Sequence, residues 1–271
     1  MGLNSSSFRR VLVETEASLT ASHIASFPVW CCTPGRDIQA LREEIAPGGQ
    51  KDYSHVPIRD EHGHIRLVVH RDDLVRKTGL ACDHAREIGA GHKLEASTSL
   101  LETIGRLKLQ GFLLVTSVES GQPDRVSGII NHADLQKLPV RLLLFARLSE
   151  LEATLREIVA HSDWPSRKDC LNEKKYAESQ RQRHRAETLP LEQLEQYLNI
   201  TGLATVAHRL GRFKPPDGVI DGRLESLRVV RNHIAHGLDF GADDAANPAG
   251  TVHAVREAFD VVEWAIKAVV E

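Results

Sequence analysis

Apolar positions follow two different rhythms along the chain. From Asp37 to Ile45, Ile38, Leu41 and Ile45 recur at helical spacing, and short apolar runs follow at Val56-Pro57-Ile58 and Ile65-Arg66-Leu67-Val68-Val69, separated by the turn Asp60-Glu61-His62-Gly63. That order predicts helix, strand, turn, strand. It then recurs, with Ser99 to Ile104 as the helix, Phe112-Leu113-Leu114-Val115 as the first strand, Gly121-Gln122-Pro123-Asp124 as the turn and Val126 to Ile130 as the second strand. After Pro139 the strand signals stop. Leu144, Leu148, Leu151, Leu155 and Ile158 then mark one stripe of a long helix over 140–162, and further helices are predicted at about 168–187, 190–211, 222–237 and 251–270. Residues 1–22 lack a clear period and are read as an arm or short helix.

The two copies of the first rhythm end alike. Val68-Val69-His70-Arg71-Asp72-Asp73-Leu74 and Ile129-Ile130-Asn131-His132-Ala133-Asp134-Leu135 both place a hydrogen-bonding side chain after a strand and an Asp three residues later. That suits a strand running into a helix N-terminus, with His70 or Asn131 at the cap. Asp73 or Asp134 then falls in the first turn, where unpaired N–H groups stabilise a carboxylate.

In this half the sequence resembles a tandem pair of CBS domains, a module that senses adenosine nucleotides, with repeats at about 23–80 and 84–139. The resemblance implies that Asp73 and Asp134 hold ribose hydroxyls in two related clefts. His70 and Asn131 stand where the family carries a Ser or Thr that reaches the phosphate side. Tyr53-Ser54-His55-Val56-Pro57 is similar to the strand lining the first cleft, which adds His55 and Pro57 to the nucleotide-binding set. Gly111-Phe112-Leu113-Leu114 is its counterpart in the second copy. The alternative is that both Asp residues are first-turn residues that bind nothing.

Over the whole chain the pair R-x-x-x-x-H occurs four times, as Arg59–His64 in the first half and as Arg156–His161, Arg228–His233 and Arg231–His236 in the second. Only the last has the fuller form R-N-x-x-x-H, in Arg231-Asn232-His233-Ile234-Ala235-His236 near the end of a late helix. That form in a helical frame resembles a HEPN domain over 140–271. The fold class expected is therefore an α+β CBS pair followed by an all-α HEPN helical bundle. The resemblance implies a metal-independent endoribonuclease acting as a homodimer on RNA, with no cofactor for catalysis and an adenine nucleotide as regulatory ligand. His236 would move the proton of the RNA 2′-hydroxyl, Arg231 would stabilise the phosphorane charge, and Asn232 would orient them. The products would be a 2′,3′-cyclic phosphate and a free 5′-hydroxyl. Histidine titrates near working pH and arginine offers a planar, permanent charge, so the residue types suit that chemistry. Two alternatives stay open. Arg231 could pair with a helix acid such as Glu152, and the whole chain could be a non-enzymatic nucleotide sensor or adaptor whose bundle binds a partner protein.

Helix geometry adds one constraint. Leu224, Leu227, Val230 and Ile234 form the predicted core stripe, with Arg231 at its edge. Arg231 and His236 are five positions apart, roughly 140° around a straight helix, so either the helix end distorts or a second subunit completes the site.

Composition narrows this picture. A formal charge of −3 argues against a protein that coats nucleic acid, but not against a local cation in a cleft. The stretch Lys174 to Arg185 could offer phosphates a basic helix, although a solvated face explains it as well. Cys31, Cys32, Cys82 and Cys170 lack metal-knuckle spacing, which suggests a reduced, cytoplasmic setting. No apolar run approaches membrane-spanning length, so no membrane association is expected, although Met1-Gly2 opens a loose myristoylation pattern. His62 and His64 beside Asp60 could hold a metal but read better as a polar turn, and no metal site is expected.

Overall fold

A computed structural model describes residues 13–45, 53–117, 125–185, 193–216, 218, 220, 222–235 and 248–269. The chain divides into two compact units, Glu16–Pro139 and a second built on Val140–Glu271.

The first unit is the repeat made solid. Helix α1 (Ile38–Glu44) starts where Asp37 accepts a hydrogen bond from the Ala40 N–H, and Ile38, Leu41 and Ile45 are fully buried. A seven-residue helix is too short to persist alone. Each of these buried side chains contributes about 2 kcal/mol, and that packing holds it. Strands β1 (His55–Arg59) and β2 (Ile65–His70) follow as an antiparallel pair, with the two-residue β3 (Arg86–Glu87) on the far side of β2. In the second copy β4 (Lys93–Glu95) runs parallel to β5 (Phe112–Thr116), which pairs antiparallel with β6 (Val126–Asn131). Helix α2 (Leu100–Gln110) joins β4 to β5, with Ser99 capping the Glu102 N–H. It ends at Gly111, whose φ of 78° suits glycine and whose N–H closes onto the Leu107 carbonyl. A parallel bridge from Cys32 to Ile58 gives the first copy the same strand, helix, strand, strand order.

The copies exchange edges. Ser26 bridges Ile129 and the Val29 N–H bonds to the Ser127 carbonyl, so the opening segment of the first copy extends the second sheet. The opening segment of the second copy reciprocates, with β3 on β2 and the Ile88 N–H on the Arg66 carbonyl. Between them lies a shared core of Ile65, Val68, Phe112, Leu114, Val126 and Ile129.

The structure corrects one feature of both copies. No long helix follows His70 or Asn131; each caps a single 3₁₀ turn, Arg71–Leu74 and His132–Gln136. The first turn stops because Val75 is extended and Arg76 takes a φ of 61°, and the second because Lys137 is extended.

In the second unit, α3 (Leu138–Ala160) buries Leu144, Leu148, Leu151 and Leu155, and its stripe ends on Val159, with Ile158 only half-buried. Pro139 sits in its first turn, where a missing N–H costs nothing. Helix α4 (Leu171–Arg185) buries only Ala177 among 171–183, so the basic stretch expected there is largely a solvated face. Helix α5 (Ile200–Arg209) begins later than predicted, because Asn199 caps the Gly202 N–H and Leu194–Tyr197 is a separate 3₁₀ turn. It packs on α6 (Arg223–Ala235), which packs on α7 (Pro248–Ala268). Phe213 and Trp264 meet edge to face at 5.7 Å in this core.

Candidate functional site

The most concentrated chemistry in the first unit is a cluster of imidazoles around Phe112. Strand register places His55 opposite His70, and their rings lie 4.6 Å apart. Phe112 opens β5 as His55 opens β1, and the two rings pack at 4.7 Å. His92, from the turn before β4, meets Phe112 at 4.6 Å. Burial, followed by the charges of His70, His132, His92 and Arg86, pushes the His55 pKa down to about 4, so His55 is neutral at physiological pH. The Ser54 hydroxyl lies 3.0 Å from His55 Nδ1. His70 Nδ1 accepts the Asp72 N–H at 3.3 Å, which leaves its proton on Nε2. His132 Nε2 faces the Leu107 carbonyl at 3.3 Å and must donate there. Pro57 is buried, and its carbonyl accepts the Cys32 N–H, so it supports the strand rather than lining an opening.

The two repeat Asp residues occupy equivalent positions in unlike surroundings. Asp73 is about one-third exposed and receives Arg86 from β3 at 2.9 and 2.8 Å. Asp134 is 5% exposed and fully engaged: Lys137 Nζ lies 2.7 Å away, the Ser26 hydroxyl donates at 3.1 Å, and the Asn131 N–H donates at 2.7 Å. The Asn131 side chain in turn accepts the Ala133 N–H. Asp134 is thus the keystone of a buried capping box. Asp134→Ala should lower stability by about 2–3 kcal/mol, because it leaves the Asn131 N–H and the Ser26 hydroxyl without their acceptor and removes the counter-charge of Lys137. Urea unfolding without nucleotide would check this, and a loss under about 0.5 kcal/mol would count against it.

Arg86, His92, His132 and Lys137 are residues that the pattern reading missed. Lys137 sits three positions after Asp134 and could have been found from that spacing. Arg86 could not, since it reaches Asp73 only through the β2–β3 pairing.

On α6, Leu224, Leu227 and Val230 are buried and Ile234 is half-buried. Arg231, expected at the edge of that stripe, is exposed, and Asn232 is half-buried. His236 lies outside the described residues. The acid suggested as an Arg231 partner is taken: Glu152 pairs with Arg156 at 2.7 Å, and Arg156 also donates to the Glu195 carbonyl at 2.8 Å. Arg228 is held by Glu225 through Nε at 2.8 Å. A cavity of about 450 Å³ opens between α6 and α7, lined by Arg223, Ser226, Val230, His233, Glu257 and Asp260.

Other chemistries find little footing. Burial raises the Cys31, Cys32 and Cys170 thiols, Cys32 to about 11, so none of these is a thiolate at neutral pH. The Asp60 carboxylate accepts the His62 and His64 N–H groups in a turn, and among the described residues no group of three or more His, Cys, Asp or Glu could hold a metal ion. Among them, too, no helix is long and apolar enough to cross a membrane.

No protein-family model matches the chain, and no curated protein matches it. Solved structures do. The CBS domain of a bacterial CNNM/CorC family Mg2+ transporter is 10% identical, with 52% of this chain and 85% of that one covered at a TM-score of 0.38. CBSX2 in complex with AMP is 14% identical over 44% of this chain and 93% of that one, at 0.36. The CBS domains of a transcriptional regulator from Streptococcus pneumoniae are 12% identical over 44% and 97%, at 0.37.

Proposed function

We propose that this chain is an adenine-nucleotide-regulated, metal-independent endoribonuclease, in which the repeat unit senses the ligand and the helical unit cuts RNA. The observation that carries the regulatory half is the doubled frame: His70 and Asn131 cap equivalent turns, with Asp73 and Asp134 three residues on, in two sheets that exchange edge segments. The first cleft is the better candidate for ribose, because Asp73 is partly exposed while Asp134 is buried in its own ion pair. Adenosine hydroxyls would bind the Asp73 carboxylate in exchange for its exposed partner Arg86, whose side chain is 71% accessible.

The cutting half rests on α6. Of the described arginines in the R-x-x-x-x-H pairs on helices, Arg156 and Arg228 are each held by a carboxylate of their own helix, whereas Arg231 is presented to solvent beside Asn232. An arginine so placed can receive two phosphate oxygens. His236 would take the 2′-hydroxyl proton, the 2′-oxygen would attack phosphorus as the bond to the 5′-oxygen breaks, and the 5′-oxygen would leave with a proton donated by the imidazolium of the homodimer's other His236. A homodimer would bring the second Arg and His into the same cleft, the preferred of the two ways to bridge the five-residue separation.

The test is a cleavage assay on total RNA in chelator, with and without AMP, ADP and ATP. Cleavage to 2′,3′-cyclic phosphate ends, with a rate that changes at least severalfold with one nucleotide, is the expected result. Wild-type protein that binds nucleotide but cuts no RNA under any condition would leave a sensor or adaptor and remove the nuclease.

A further inference from the structure

We propose that His55, His70, His92, His132 and Arg86 together form a proton-loaded site for a phosphate group, so that the first unit takes up a phosphorylated ligand and protons together. This rests on reading the first cleft as a nucleotide site, and it adds the chemistry that replaces the missing hydroxyl residue at His70.

Four imidazoles come from four separate elements: His55 meets His70 and Phe112, and His92 meets Phe112, at 4.6 to 4.7 Å, while His132 is near enough for its charge to act on His55. Their neighbours define the electrostatics. His55 faces His70 from β2, His132 from the turn after β6, His92 from the turn before β4 and Arg86 from β3. Two carboxylates lie beside these groups: Asp72, 3.8 Å from His70 Nδ1, and Asp73, paired with Arg86. The surroundings of His55 are therefore basic, and each proton added raises the cost of the next. At neutral pH the His55 ring packs uncharged against His70 and Phe112. His92 Nδ1 is buried and has no hydrogen-bond partner among the described residues, so a donor position stands ready for an acceptor. A phosphate dianion reverses the balance. Its charge favours the imidazolium forms, each ring then offers a second N–H, and mutual repulsion parts the rings to admit it. A Ser or Thr at position 70 would give one neutral donor and no such coupling.

The proton coupling follows from linkage: a ligand that binds only the protonated cluster gains about tenfold in affinity per pH unit of acidification for each proton taken up. The experiment is isothermal titration of the full chain with AMP, adenosine and pyrophosphate between pH 7 and 8, in buffers of different ionisation enthalpy, alongside NMR titration of the histidine Cε1–H resonances. Above pH 7 the AMP phosphate is already largely ionised, so protons taken up with AMP belong to the protein, while pyrophosphate still carries a proton of its own that is subtracted from its balance. The expected result is net proton uptake on AMP binding that is larger at pH 7 than at pH 8, and a rise of the His55 pKa from about 4 toward neutrality in the complex. His92→Gln and His55→Phe should each weaken AMP at least tenfold at pH 7, with His92→Gln leaving adenosine little changed. Circular dichroism and cooperative urea unfolding would show that the variants fold. Pyrophosphate binding with proton uptake, but no gain from the adenosine moiety, would keep the phosphate site and overturn the nucleotide reading. AMP binding with no proton uptake and no imidazole shift would overturn the phosphate site and keep the nucleotide reading. No binding of any of the three would overturn both.

Discussion

Arg231→Ala and His236→Ala should each reduce RNA cleavage in magnesium-free buffer by at least about a hundredfold, the usual effect of removing a proton-transfer group or a charge that stabilises the transition state. Arg231 is exposed, so its truncation should move stability by less than about 0.5 kcal/mol and leave the sedimentation behaviour of the protein unchanged. Arg231→Lys keeps the charge but loses the planar fork, and should retain only part of the activity. Arg228 supplies the internal control. It lies three residues earlier on the same helix in the same R-x-x-x-x-H spacing, but Glu225 holds it in an exposed pair. Such a pair contributes little to stability, and Arg228→Ala should cut RNA at close to the wild-type rate. If Arg228→Ala loses as much activity as Arg231→Ala, the effect comes from the basic face of α6 as a whole and the assigned roles fall.

The elements that were legible in the amino-acid order are those whose stability is local. Asp37 and Ser99 cap helices whose apolar residues sit three and four apart, and both helices are where that spacing puts them. His70 and Asn131 cap turns for the same reason: a side-chain acceptor can reach an N–H two residues on whatever the rest of the fold does. What stayed hidden depends on distant backbone. The exchange of Ser26–Val29 and Arg86–Glu87 between the sheets involves one or two paired residues each, too few to carry a period. The imidazole cluster draws on positions 55, 70, 92 and 132, which have no common spacing and meet only because the register sets His55 against His70 and Phe112 against Asn131. The capping box of Asp134 was half visible. Its place in the first turn followed from the sequence, but its burial under Lys137 and Ser26 required the second sheet to be extended by the chain's own upstream segment.

Mild acid should destabilise the first unit through His55 before any carboxylate is affected. In the folded chain His55 titrates near 4 and in the unfolded chain near its ordinary value of about 6.5. As pH falls through 6.5 the unfolded chain binds a proton that the folded chain refuses, so stability is complete above 6.5 and is lost progressively down to about 4. The limiting slope is about 1.4 kcal/mol per pH unit. After allowance for the part of the ring that water still reaches, the total loss is on the order of 2 kcal/mol. Carboxylates add their own loss lower down: the hydrogen bond from Arg228 holds Glu225 below its ordinary value of 4.5, so its contribution disappears only as pH falls below that. The window from pH 6.5 to 5 therefore isolates the imidazole. His55→Phe keeps an aromatic ring against His70 and Phe112 and removes the titration, so urea unfolding of this variant should be nearly flat across that window while the wild type declines by about 1–2 kcal/mol. Equal acid slopes in the two proteins would mean that His55 is protonated in the native cluster without penalty. The close ring packing at neutral pH would then not depend on His55 being uncharged, and the coupling of phosphate to protons would lose its physical basis.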